Sequence, residues 1–474
     1  MRFQLRHIVP FALLWLGCGA EPSISEAPLA EAGELAQGQS MLQAIDCADC
    51  LGGTEEARVA GGFTREQVSG NVYHYSLDVK VGPGEFDVIT LHRVVRERAP
   101  WFPARSPESV FMVHGDAWDF RGAFMSSTLT SEVTPDKSIA VYLARQGVDV
   151  WGIDLRWTHV PMVTEDFSFM KTWNLGTHAQ DVGTGLALAR RVRLLTGSGG
   201  DKMNLLGWSR GAMVAYAYLN AESQLPPGRR HVSGFIPVDM VLKFGPDGEE
   251  PRQWACARAA LADTQLKAGR VEGGLLGPGA GVAVMTLGEL AIDHPDDPAQ
   301  MPPLPQLPHK QLATMLGAST FAFLTSPDGT VQPPVPFYHF TAGTFDANLN
   351  PTGLRYVTQR RFFDLMRTAH PFQSFTEIVE GEKLLCGEED LPYDDHLKDI
   401  TVPVLHVSAA GGFGSYGEYL PTKLLGSRDV TVLRVQRPQE QLGRLGEFGH
   451  ADLFLASGAE DAVWAPIYRW MKRH

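Results

Sequence analysis

Within this 474-residue sequence the pentapeptide Gly207-Trp208-Ser209-Arg210-Gly211 carries the clearest chemical potential. It follows a short apolar run, 203–206, and opens a helical stretch, 212–220, so the serine sits at a strand-to-helix turn. Such a turn is tight and strained, and it holds the hydroxyl clear of the backbone. The two glycines are required because side chains there would collide with the strand and the helix. The helix start adds amide N–H groups and a positive dipole end, both suited to a developing oxyanion. A serine nucleophile needs a base, and His450 is the candidate. It lies in a Gly-His turn between the last apolar run, 430–435, and a C-terminal helical stretch, 459–472. An imidazole titrating near neutrality can take the Ser209 proton and return it to a leaving group. His406 falls inside an expected strand and reads as core.

Several elements must position these groups. Alternation over 72–79 and 86–93 around Gly82-Pro83-Gly84 indicates an antiparallel hairpin. The runs 109–113, 148–153 and 203–206 are continuously apolar and are separated by helical stretches at 137–146 and 177–195. That order predicts a parallel sheet, which 232–238, 402–407 and 430–435 extend. Residues 241–395 form an insertion before the last strands, too long for a structureless loop. Helical stretches at 253–266, 310–324 and 355–369, divided by a Pro-rich segment at 298–308, suggest a largely helical cap. The expected division is a catalytic α/β domain over 61–240 and 396–474, with the cap at 241–395.

From residue 71 onward, apart from the cap, the chain resembles the α/β-hydrolase superfamily: a mostly parallel central sheet flanked by helices. The motifs that carry the likeness are Gly-Trp-Ser-Arg-Gly, the turn His114-Gly115-Asp116 directly after a strand, and Phe448-Gly-His450-Ala-Asp452-Leu-Phe454. Their order, together with 147–156 and Asp166-Phe-Ser168, is loosely similar to the acid-lipase and esterase branch. The resemblance implies oxyanion donors at the backbone N–H of Arg210 and at Asp116 or Ala117, with His114 bracing that turn. The carboxylates of Asp116 and Asp119 are expected to point away, toward Arg156 or Arg121. The superfamily's usual acid, after the strand ending at Val407, is missing here, where the loop runs 408–418 without an Asp. Asp239, at the end of the preceding strand, stands where some haloalkane dehalogenases and pancreatic-type lipases carry theirs. It is preferred as the triad acid, and Glu418 is the reserve. The plain alternative is that Asp239 merely caps the first turn of the insertion.

The N-terminus indicates export. Arg2 and Arg6 precede an apolar run, 8–16, too short to span a bilayer but suited to a signal peptide over 1–20. Leu14-Trp15-Leu16-Gly17-Cys18 resembles a bacterial lipoprotein cleavage box, so membrane anchoring through lipid on Cys18 competes with cleavage after Ala20. Residues 21–60 read as a flexible tether. In an oxidising compartment the four remaining cysteines favour disulfides, with Cys47–Cys50 and Cys256–Cys386 preferred among three pairings. The expected localisation is the bacterial cell envelope or the medium.

Composition bounds the substrate. With 41 Lys+Arg against 54 Asp+Glu the formal charge is −13, which leaves no basic surface for nucleic acid. No cofactor or metal site is expected. Ser209 in place of a carboxylate nucleophile favours acyl transfer, most simply ester hydrolysis. An amidase or peptidase would use the same triad, and a non-catalytic binding protein on a hydrolase scaffold is the other class. Apolar cap residues such as Leu316, Phe323, Phe362 and Met366 point to neutral esters with an apolar group.

Overall fold

The computed structural model describes residues 58–59, 62–274, 277–299, 306–437 and 442–474. The stretch read as a signal peptide, with Cys18, Cys47 and Cys50, lies outside the described residues, as does the span read as a tether apart from 58–59.

Eleven strands share one sheet. It begins with β1 (Arg58–Val59), β2 (Thr64–Ser69), β3 (Val72–Lys80), β4 (Val88–Ala99) and β5 (Phe102–Pro103), all antiparallel to their partners. Arg58 and Val59 pair with Lys80 and Val79, so sheet pairing starts inside the span read as tether. The buried runs become β6 (Ser109–Val113), β7 (Asp149–Asp154), β8 (Met203–Trp208) and β9 (Val232–Val238). Every residue of β6, β7 and β8 is buried, as strands covered on both faces require. Their side chains alternate between two apolar layers. Phe111, Val113 and Leu205 enter one, while Val110, Met112 and Leu206 enter the other.

After β9 the chain makes the insertion. It holds helices α1 (Glu249–Lys267), α2 (Ala280–Asp293) and α3 (His309–Ala318), a short helical turn Thr320–Phe323, the hairpin β10 (Gly343–Phe345) and β11 (Pro351–Leu354), and helices α4 (Gln359–Met366) and α5 (Phe375–Cys386). The stretch 310–324 breaks at Ser319, and 355–369 is shortened to Gln359–Met366, starting after Thr358, whose side chain accepts the Arg361 N–H at the start of α4. Two helices were not visible in the periodicity. In α2, Gly281 and Gly288 lower helix propensity, yet a β-carbon at either would overlap the backbone at His370 or Arg367. Close packing explains those glycines. Sγ atoms of Cys256 in α1 and Cys386, the last residue of α5, are joined in a disulfide.

Strands β12 (Val404–Ala409) and β13 (Val430–Val435) close the sheet. The order is β1-β3-β4-β7-β6-β8-β9-β12-β13, parallel from β7 onward. Since β6 is flanked by β7 on one side and β8 on the other, the connections diverge there. A crevice opens at the carboxyl ends of such strands. Helix Arg210–Glu222 follows β8 directly and is apolar nearly all round, as a helix buried beneath a sheet must be. The C-terminal stretch is a π turn, Glu460–Trp464, leading into helix Ala465–Met471.

Candidate active site

Ser209, the residue between β8 and helix Arg210–Glu222, has φ +58° and ψ −133°, outside the regions open to most side chains. Its N–H donates to the Val238 carbonyl at 3.0 Å, which ties the turn to β9. The flanking glycines answer to backbone crowding. A β-carbon on Gly207 would come within 2.5 Å of the Gly211 oxygen, and one on Gly211 would overlap the carbonyls of Val113 and His114. Gly115 has the same constraint from the other side, where a β-carbon would lie 2.6 Å from that of Ser209.

Asp239 lies one residue beyond β9, wholly buried and with φ +46°. Its N–H continues the ladder to the Val407 carbonyl at 2.7 Å. The carboxylate accepts the Ala409 N–H, at the end of β12, at 2.9 Å and the Phe413 N–H, from the following loop that lacks an Asp, at 3.2 Å. That loop is shaped around Asp239, because a β-carbon on Gly412 would overlap the carboxylate. The other oxygen accepts from Nδ1 of His450 at 2.6 Å. A carboxylate is an acceptor, so Nδ1 carries the proton and Nε2 keeps its lone pair. Glu418, the reserve acid, is instead bidentate on Arg434 at 2.6 and 2.7 Å.

Ser209, His450, Asp116, Ala117 and Arg210 line one cavity of about 170 Å³. The His450 ring is buried among Trp208, stacked at 5.1 Å, and Tyr338, Phe340 and Phe413 at 5.5, 5.7 and 5.9 Å. Ala117 has φ +68°, and the Trp118 N–H closes a three-residue turn to the Asp116 oxygen at 2.9 Å. Three of the described non-glycine residues with positive φ, Ser209, Asp239 and Ala117, thus gather at one place. Strain of that kind concentrates at functional sites. His114 braces the turn: its Nδ1 donates to the Gly115 oxygen at 2.9 Å and its Nε2 accepts the Leu155 N–H at 3.1 Å. Burial pushes its pKa down, which keeps it neutral.

The expectation for Asp116 and Asp119 is corrected. Asp116 pairs with Arg210 at 2.8 Å, and Asp119 caps a helix through the Gly122 N–H. Arg156 is taken by Asp87 and Asp181, and Arg121 by Glu66. Burial opposes the Arg210 charge, but Asp116, Glu377 and Glu382 overcome it and raise its pKa. The pair thereby cancels the Asp116 charge beside Ser209. Gly381 of α5 makes room for the guanidinium, since a β-carbon there would lie 2.5 Å from Nη1.

Sequence reasoning missed a support supplied by the insertion. The carbonyls of His339 and Phe340 accept the N–H groups of His450 and Ala451 at 3.0 and 2.7 Å. Asp452, fully buried, accepts the N–H groups of Ala342 and Gly449 at 2.7 and 2.8 Å. Asp452 stood two residues from the base in sequence, a signal that was available. Nothing in the pattern around 339–342 marked that strap. Among the described residues no cluster of three or more His, Cys, Asp or Glu is arranged to hold a metal ion.

No family model and no curated protein sequence matches the chain. Solved structures do. A lipase candidate from Sulfolobus solfataricus superposes with a TM-score of 0.56 at 18% identity, covering 87% of this chain and 99% of that one. A soluble variant of monoglyceride lipase from Saccharomyces cerevisiae matches with a TM-score of 0.40 at 13% identity, over 88% and 97% of the two chains. An esterase from Exiguobacterium antarcticum matches at 0.39 and 15%, over 81% and 96%. Only the first superposes closely enough to bear on the architecture, and at that identity it speaks to the fold. Together with the sheet order and the elbow at Ser209, it identifies the fold of this chain as that of the α/β hydrolases.

Proposed function

We propose that this chain is an exported serine hydrolase that cleaves carboxylic esters through an acyl-enzyme. The observation that carries the reading is the 2.6 Å bond from His450 to Asp239, beside a strained serine lining the same cavity. Ser209 Oγ attacks the ester carbonyl while His450 Nε2 takes its proton. Asp239 fixes the tautomer and stabilises the imidazolium. The oxyanion receives the backbone N–H of Arg210, at the free end of a helix, and one from Asp116 or Ala117. His450 then protonates the departing alcohol, and water repeats the sequence to release the acid. Export, with a lipid on Cys18, is supported by the basic and apolar N-terminus and by the Cys256–Cys386 bond, which suits an oxidising compartment.

The test is covalent labelling. A fluorophosphonate should modify Ser209 in the intact protein, and Ser209→Ala should abolish both labelling and hydrolysis of p-nitrophenyl butyrate. His450→Ala should lower kcat by roughly 10⁴ or more, and the double variant should lose little further, because the two act as one unit. Full hydrolysis by Ser209→Ala would overturn the reading.

A further inference from the structure

The cavity at Ser209, about 170 Å³, is smaller than the roughly 300–1,000 Å³ of usual ligand pockets. A second cavity of about 580 Å³ lies within the insertion, between α1, α2, α5 and the segment after Thr320–Phe323. The two adjoin: Ala280, Val284, Leu316 and Leu324 line both. Beyond that neck the wall carries Leu287, Phe323, Val331 and Ile378. Two arginines also line it, both engaged by protein groups although Nη2 of Arg258 has no hydrogen-bond partner. Arg258 pairs with Glu382 at 2.9 Å, and Arg270 donates to Gln265 and to the carbonyls of Glu272 and Gly274 while lying over the Phe375 ring. The hydrocarbon side chains along this wall fit an apolar occupant.

We propose that the second cavity is an acyl-chain chamber, and that a long-chain acyl group bound to Ser209 runs through the Val284–Leu316–Leu324 neck into it. This rests on the serine esterase reading. The lining assigns the acyl rather than the alcohol half. The alcohol must leave next to His450, which protonates it, and none of the four rings packed on that imidazole lines the second cavity.

The experiment measures kcat/KM for p-nitrophenyl acetate, octanoate and palmitate, and for methyl and octyl acetate. Each methylene drawn from water into the chamber strengthens binding, so octanoate should exceed acetate by at least about tenfold, while lengthening the alcohol gains far less. Val284→Trp and, separately, Leu324→Trp fill the neck and should bring the octanoate-to-acetate ratio down to about one. A flat or falling acyl series with acetate well hydrolysed overturns the chamber and leaves the Ser209 reading intact. So does an equal loss on acetate and octanoate in both tryptophan variants, or a gain confined to the alcohol series. If no ester is hydrolysed and Ser209 resists the fluorophosphonate, the catalytic reading falls and the chamber with it.

Discussion

Asp239 accepts two backbone N–H groups besides the imidazole, so its orientation does not depend on the base. An Asn there would present an N–H where Nδ1–H now points and would favour the wrong tautomer. Asp239→Asn should therefore lower kcat by about 10³–10⁴ with little change in KM, while Glu418→Gln, which releases only Arg434, should leave kcat unchanged; steady-state kinetics on p-nitrophenyl butyrate distinguish them. Much at this scale was legible. Ser209 and His450 announce themselves through adjacent residues, and Asp239 through its place at a strand end. The Asp116–Arg210 pair was not legible, since 94 positions separate the two and Arg156 and Arg121 were equally plausible partners until their own carboxylates were known.

The turn carrying His450 is an element held from two directions, by the 339–342 strap and by Asp452. Burial raises the Asp452 carboxyl to about 7, against which the two N–H bonds work only in part. The folded protein thus keeps a proton that the unfolded chain, with an ordinary carboxyl near ~3.9, has released. Its contribution to stability is present at low pH, declines between about pH 4 and 7, and levels off above. Asn at 452 can accept the same bonds and does not titrate. The difference in Tm, wild type minus Asp452→Asn, should consequently fall as pH is raised from 5 to 7 and then stay flat to 8.5; calorimetry across that range checks it, and a constant difference would show the carboxyl to be charged throughout. Element-level reading recovered the parallel strands, whose continuous apolar runs admit few alternatives. It lost α2 and α5. In α2 the glycines that permit close packing are the same residues that weaken a helical pattern, so tertiary need hid a local signal.

Across the whole molecule, the insertion is closed by the Cys256–Cys386 bond, which spans 130 positions. Cross-linking a loop of that length removes chain entropy from the unfolded state, worth about 4–5 kcal/mol before allowance for residual structure. Cys256→Ser/Cys386→Ser should lower Tm by several degrees, and thiol-specific alkylation of the native protein should leave both sulfurs unmodified unless it is first reduced. Length and Pro content suggested the division into an α/β body and an insertion, but carried no sign of the hydrogen bonds between them. The strap at 339–342 belongs to the insertion, yet its carbonyls and one amide are hydrogen-bond partners of the turn that bears His450. Pocket wall and base are therefore one inheritance. Exchanging residues 241–395 for the corresponding piece of another chain of this fold would remove the carbonyls and the amide that hold the His450 turn, whereas point substitution at the cavity lining leaves them in place.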